Sequence, residues 1–305
     1  MTRIYRRQLL RGTLATLATL GWGQYNPLHV PYASAQPTPR KLALLIGIND
    51  YQDENITPLQ GCITDVRLQE QLLRDRYGFQ PADILTLLDG EATRDGILNA
   101  IETHLIQQAS PGDIVVLHFS GHTVFVREPN CGMDDCLMGV LMPVDGAFPE
   151  TEDWLSTVAS PPEGSISRPE LADILGRLAT DQLTVVLDVM GGGSFATETG
   201  FAKGVLLAAS AAEQLADESV FDGVHAGVFT YVLTRYLWQQ SGDQSFEVAI
   251  EAIASEVQAL SDESQIVQTP MLFSEPNRDH GQQPTYFTVP QTPPASPPSL
   301  SQEPR

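Results

Sequence analysis

The chain has 305 residues, enough for one large α/β domain or two small ones. Its 17 Lys and Arg against 38 Asp and Glu give a formal charge of −21, and so acidic a surface repels phosphate backbones and anionic lipid, which argues against nucleic-acid and membrane-surface roles. A hydrophobic fraction of 42% excludes wholesale disorder, and three cysteines are too few for a disulfide scaffold.

The N-terminus reads as an address. Tyr5-Arg6-Arg7-Gln8-Leu9-Leu10-Arg11 sets an arginine pair before two leucines, a mildly apolar stretch runs from Gly12 to Trp22, and Ala33-Ser34-Ala35 offers small residues to a signal peptidase. The pattern resembles a twin-arginine export signal, which implies delivery to a periplasm or an equivalent extracytoplasmic lumen. The other reading is a basic amphipathic N-terminus on a cytosolic protein. The apolar stretch is too short and too broken to stay in a bilayer as a mature helix, so no stable membrane insertion is expected after processing. Residues 1–35 contain four arginines and no acid; without them 13 basic residues face 38 acidic ones, a charge of −25. Basic peptides or divalent cations are the better electrostatic partners for such a surface.

From residue 36 to about 280 the chain alternates strand and helix. Leu42 to Ile48 is a continuous apolar run, the mark of a strand covered on both faces. A helix is predicted over Thr64–Arg76, a strand over Asp83–Leu88, a helix over Thr93–Gln108 and a strand over Asp113–Phe119. A long stretch rich in Asp, Pro and Gly, Thr123 to Ser165, is predicted to be irregular. Ser167-Arg168-Pro169-Glu170 is a capping box with proline in the first turn, opening a helix to about Leu178. Strands then fit Leu183–Val189 and Gly204–Ala209, and helices Gly227–Gln240 and Ser245–Leu260. This alternation implies a parallel sheet with helices on both faces. Gln282 to Arg305 carries seven prolines and few large apolar residues, so residues 281–305 are expected to be a disordered tail.

Parallel sheets carry their chemistry at the carboxyl ends of the strands. Here those ends are Asn49-Asp50-Tyr51, Ser120-Gly121-His122 and Asp188-Val189-Met190, the last followed by Gly191-Gly192-Gly193-Ser194. A histidine at one central strand end beside the end of another is the layout of a Cys–His dyad, in which the imidazole takes the thiol proton and later protonates the leaving amine.

Between about Lys41 and Phe273 the sequence resembles the caspase-like (C14) peptidases, in particular the bacterial metacaspase-like branch called orthocaspases. The resemblance is carried by Leu45-Ile46-Gly47-Ile48-Asn49, Leu59-Gln60-Gly61-Cys62 with Asp65, Tyr77-Gly78-Phe79, Ser120-Gly121-His122, Asp134-Asp135 leading to Pro143-Val144-Asp145, Leu187-Asp188, and the stretch from Leu207-Ala208-Ala209-Ser210 to Gly227-Val228-Phe229-Thr230-Tyr231. It implies an α-β-α sandwich around a six-stranded, mostly parallel sheet. A p20-like part would end near Ser194 and a p10-like part would run from about residue 204 to 280.

The departures fall where the chemistry would be. The family usually reads Asp-x-Cys-His-Ser-Gly at the fourth strand end, with cysteine as nucleophile; here that position is Met190, followed by Gly191, and Ser-Gly-His-Gly has become Ser120-Gly121-His122-Thr123. A thioether has no proton to lose and forms no acyl-enzyme. The resemblance therefore implies a pseudo-peptidase that keeps the dyad histidine, His122, without its nucleophile. Acids at the positions of Asp65 and Asp188 line the S1 pocket in metacaspase-like enzymes and hold a substrate Arg or Lys, so binding of basic peptides is expected. Against this, Asp65 could merely favour a helix N-terminus and Asp188 cap a turn.

Other candidates read more plainly. Cys62 is expected to be a buried packing residue, not a relocated nucleophile. Cys131 and Cys136 are compatible with a disulfide or with two free thiols. Asp134, Asp135 and Asp145 resemble part of the acidic loop that binds calcium in many metacaspases, but calcium needs six to eight oxygens and these supply three carboxylates; no other cofactor is implied. Ser194 reads as a turn residue, and His104 and His118 as core or surface residues. Three roles follow: a non-catalytic binder or regulator of Arg/Lys peptides, an active Arg/Lys-specific cysteine endopeptidase using Cys62 or a rearranged loop, and a scaffold whose pocket binds nothing.

Overall fold

The alternation of apolar residues along the first strand decides the layering. In β1 (Lys41–Gly47), Leu42, Leu44 and Ile46 enter one core layer while Ala43 and Leu45 enter the other, all of them buried. A strand loaded on both faces must lie inside a sheet with helices on each side. The structure, a computed structural model, describes residues 38–275 apart from 55, 128–136, 148–156, 159, 198–200, 202 and 241–244. The predicted leader and tail, Cys131, Cys136, Asp134 and Asp135 lie outside the described residues.

The elements follow as α1 (Cys62–Asp75), β2 (Ile84–Leu88), α2 (Arg94–Ala100) prolonged by a wider turn over Ile101–Ile106, and β3 (Ile114–Ser120). Then come β4 (Thr123–Arg127), β5 (Leu137–Leu141), β6 (Thr157–Val158), β7 (Ile166–Ser167) and α3 (Arg168–Gly176). The second half holds β8 (Leu183–Asp188), β9 (Val205–Ala208), β10 (Glu218–Phe221), β11 (Val224–Gly227), α4 (Val228–Gln239), α5 (Phe246–Ser264) and β12 (Met271–Ser274).

Six strands form the main sheet in the order β12-β9-β8-β3-β1-β2; all neighbours pair in parallel except β12, which runs antiparallel to β9. Residues of α2 and α3 (Ile97, Leu171, Leu175) pack on one face, and residues of α1, α4 and α5 (Val66, Leu72, Val232, Ile253) on the other. This is the expected α/β sandwich. Helix starts are pinned by polar caps: Thr93 Oγ1 accepts the Gly96 amide, Ser167 Oγ the Glu170 amide, and Asn49 Oδ1 the Cys62 amide at 3.0 Å.

The stretch 123–165 is not wholly irregular, and here the sequence expectation needs correcting. Val124, Val126, Met138 and Val140 are buried, and β4 and β5 pair antiparallel within a second sheet of order β6-β4-β5-β7. Short strands framed by Asp, Pro and Gly present too few alternating residues to outweigh that composition. The sheet matters because β4 begins at Thr123, immediately after His122.

Candidate functional site

Parallel β1, β3 and β8 end together, so the residues that follow them meet. Ile48 donates to the Ser120 carbonyl and Gly121 to the Asp188 carbonyl, which ties the three strand ends into one floor. A cavity of about 230 Å³ opens there. Its lining brings together four of the sequence-predicted residues, Asp65, His122, Asp188 and Met190, with Cys62, Ser120 and Glu218; Pro58, Leu59, Val189 and Leu215 supply apolar walls. Asp145 is elsewhere: its Oδ1 accepts the Arg94 amide at 2.8 Å, at the start of α2. Among the described residues no group of three His, Cys, Asp or Glu is arranged to hold a metal ion.

Two buried carboxylates stand at the bottom. Asp65, in the first turn of α1, is 1% exposed; its Oδ2 accepts from Ser120 Oγ at 2.8 Å and its Oδ1 from the Gly227 amide at 2.9 Å. Asp188, the last residue of β8, caps α4: its Oδ2 accepts from the Thr230 amide at 3.0 Å and from Thr230 Oγ1 at 2.6 Å. Both acids crowd against Gly227, where a Cβ would overlap Asp188 Oδ2 and lie 2.9 Å from Asp65 Oδ2. Burial, then the Asp188 charge, holds the Asp65 carboxyl well above the usual carboxylate range. Burial raises Asp188 to about 6, against the opposing pull of its two Thr230 hydrogen bonds.

Glu218 is a third acid, which the sequence reading missed. Its Oε1 and Oε2 accept the Gly61 and Gln60 amides at 2.9 and 3.0 Å, so the carboxylate sits against the start of α1. It is delivered by the β10–β11 hairpin, whose two-residue turn Asp222-Gly223 has both φ values positive. Asp-Gly between apolar residues is a hairpin signal, and was the one clue available in the sequence.

His122 leaves β3 with its ring held from two sides. Nε2 lies 3.3 Å from the Thr57 carbonyl, the His122 amide donates to Tyr51 Oη at 2.7 Å, and the Tyr51 ring is 5.0 Å away, tilted by 46°. Burial lowers its pKa, so the imidazole is neutral near pH 7. Met190 is tied through its backbone: Thr123 Oγ1 donates to the Met190 carbonyl at 2.6 Å. The next amide, Gly191, donates to Ser210 Oγ at 2.9 Å and to the Gln214 carbonyl at 2.8 Å.

Cys62 is buried, with Sγ 3.8 Å from Glu218 Oε1; burial and the charges of Asp65 and Glu218 push its thiol well above its ordinary pKa. Ser194 lies in a helical turn outside the cavity lining, donating from Oγ to the Gly191 carbonyl at 2.7 Å. His104 is part-buried, with Nε2 between the Ala43 and Asp83 carbonyls, and His118 is fully buried within β3.

Strand ends that gather a histidine and paired acids, on a six-stranded sandwich of this order, are the frame of a caspase-type peptidase domain. Residues 40–280 match the caspase domain of the C14 peptidases, and the chain belongs to that family. It is 35% identical over 130 residues to Metacaspase-1B of Aspergillus fumigatus, covering 41% of this chain and 31% of that protein. It is also 35% identical over 134 residues to Metacaspase-7 of Arabidopsis thaliana, covering 41% of this chain and 32% of that one. The matched stretch spans about a third of the length of these relatives. A crystal structure of a Geobacter sulfurreducens protein superposes with a TM-score of 0.60 at 18% identity, covering 83% of this chain and all of that one, a likeness of fold alone.

Proposed function

We propose that this is a caspase-fold protein of the bacterial metacaspase-like branch that has lost its nucleophile and works by binding, taking an Arg or Lys side chain of a peptide into the cavity between Asp65, Asp188 and Glu218. The observation that carries this reading is the cavity's charge: four acidic side chains, Asp65, Asp188, Asp217 and Glu218, and no Lys or Arg among its described lining residues. Apolar walls at Leu59, Val189 and Leu215 suit the methylene stem of such a side chain, and the acids suit its head. The capping of α4 by Asp188 is a structural duty, but it occupies Oδ2 alone.

Loss of catalysis rests on three features. Met190 stands where the resemblance puts the cysteine, and a thioether is no acyl acceptor. The amide beside it is engaged with Ser210 and Gln214 instead of being available to an oxyanion. Cys62, the alternative nucleophile, has its thiolate disfavoured by burial and two carboxylates, the reverse of activation. For residues 1–35 we keep the export reading, which predicts that replacing Arg6 and Arg7 by lysine traps the precursor inside the cell.

The test of binding is calorimetric titration of the protein and of Asp188→Asn with short peptides ending in Arg, Lys or Gln; asparagine keeps an acceptor for the Thr230 amide. An Arg head held by partly desolvated acids contributes on the order of 2–4 kcal/mol before the cost of ordering the side chain. Affinities in roughly the micromolar to millimolar range follow, with Arg above Lys because a planar fork engages two acids at once, and a decline with salt. Equal affinity for all three peptides, or no loss in Asp188→Asn, would make the carboxylates fold residues only.

A further inference from the structure

We propose that the cavity exchanges protons for its ligand: empty, it cannot hold Asp65 and Asp188 both ionised, so a cationic side chain enters against release of a proton and occupancy rises with pH through the weakly acidic range. The inference rests on the reading that the cavity binds a basic side chain, and it adds how that binding is regulated.

The argument begins with what faces the acids. The titratable lining consists of Cys62 and Asp65 from α1, His122 after β3, Asp188 at the end of β8, and Asp217 and Glu218 at β10; β11 and α4 contribute only Gly227 and Thr230. No member of that set is a lysine or arginine, and burial disfavours the protonated form of His122. Every donor found on Asp65, Asp188 and Glu218 among the described residues is a neutral hydroxyl, amide or thiol. Neutral dipoles soften the repulsion between adjacent carboxylates but do not cancel it, and Asp65 and Asp188 both abut Gly227. The two therefore titrate as a pair, with at least one proton retained into the weakly acidic range.

A guanidinium between them removes the reason for that proton. By linkage, a ligand that prefers the ionised pair must expel the proton and must bind more tightly as pH rises, until the pair is ionised without help. With Asp188 at about 6 and Asp65 also raised by burial and the Asp188 charge, the affinity should fall at least about tenfold for each pH unit below that value. The trend opposes simple salt-bridge intuition, in which surface carboxylates stay ionised down to about pH 4.

The experiment uses the full chain and acetyl-Ala-Ala-Arg-amide, whose only charge does not titrate below about pH 12. Calorimetry at about pH 6 in two buffers of different ionisation enthalpy counts protons directly, and the affinity is followed from about pH 5 to about pH 8. Release of roughly half a proton or more at pH 6, with affinity rising from pH 5 upward, is expected. In parallel, the carboxyl carbon of Asp188, followed by NMR in the unmutated protein, should titrate near 6 when free and lose that transition in the complex. Binding with no proton released and a flat pH profile overturns the proposal while leaving the cavity a basic-residue site. No binding of this peptide at any pH overturns the binding reading and the proposal with it.

Discussion

His118 offers a sharp check on the core that delivers the site, because β3 carries His118 four residues before His122. Its partners across the sheet are Leu45 and Val186, it is fully buried, and neither ring nitrogen has a hydrogen-bond partner among the described residues. Burial drops its pKa from 6.5 to about 3. A base whose folded pKa is depressed adds stability that is complete above its unfolded value and is lost as pH falls towards the folded one. At about pH 4.5 the unfolded chain holds the proton and the folded chain does not, a difference of about two pH units and hence about 3 kcal/mol of lost stability. His118→Leu, similar in volume and apolar, should therefore match the parent or exceed it slightly at about pH 7.5 and be more stable by about 3 kcal/mol at about pH 4.5. Urea unfolding of both proteins at the two pH values measures this, and the difference between them cancels the titration of Asp65 and Asp188. Curves that decline in parallel between the two pH values would refute the reasoning.

The remaining predictions concern the cavity. Met190→Cys alone should regain little hydrolysis of an Arg reporter, whereas Met190→Cys with Thr123→Gly should do better, since the glycine also releases the Met190 carbonyl from Thr123 Oγ1; a single variant as active as the double would make Thr123 irrelevant. Gly191→Ala should destabilise by about 2–4 kcal/mol in denaturant, because φ is +63° there and a Cβ would overlap the Phe125 ring. A cost under about 0.5 kcal/mol would mean that the loop simply shifts. Thr230→Val removes the hydroxyl bond to Asp188, so the Asp188 carboxyl should titrate higher by NMR and Arg-peptide affinity at about pH 6 should fall several-fold; an unchanged titration would contradict the capping role.

The parts of the fold legible in the sequence were those with long, single-valued patterns. β1, β3 and β8 are apolar on both faces, and α3 announces itself with Ser167 and Pro169, so each was placed to within a residue or two. The four-residue hairpin strands β10 and β11, and β4 and β5, were not read, because strands that short gain their burial from contacts distant in the chain. The same reason divides the site. Asp65, His122, Asp188 and Met190 follow strong strands or open a strong helix, whereas Glu218 reaches the cavity only because its hairpin folds over the start of α1. Nothing local to Glu218 marks it as a partner of Asp65, 153 positions away in the numbering of the chain. The helix predicted through Gln108 is a similar case: its apolar spacing at Ile97, Ile101 and Leu105 is kept, but the backbone widens after Ala100.

Covalent labelling tests the central claim most directly. The protein, with and without calcium, is incubated with a chloromethyl ketone of an Arg-terminated peptide, and the whole chain and its peptides are weighed by mass spectrometry. The account predicts no adduct at any cysteine, because Met190 lacks a proton to lose and the Cys62 thiol is held protonated by burial and its acid neighbours. The same peptide without the reactive group should still bind. An adduct on Cys62, or on any other cysteine, that forms at a saturable rate and is blocked by that peptide would contradict it.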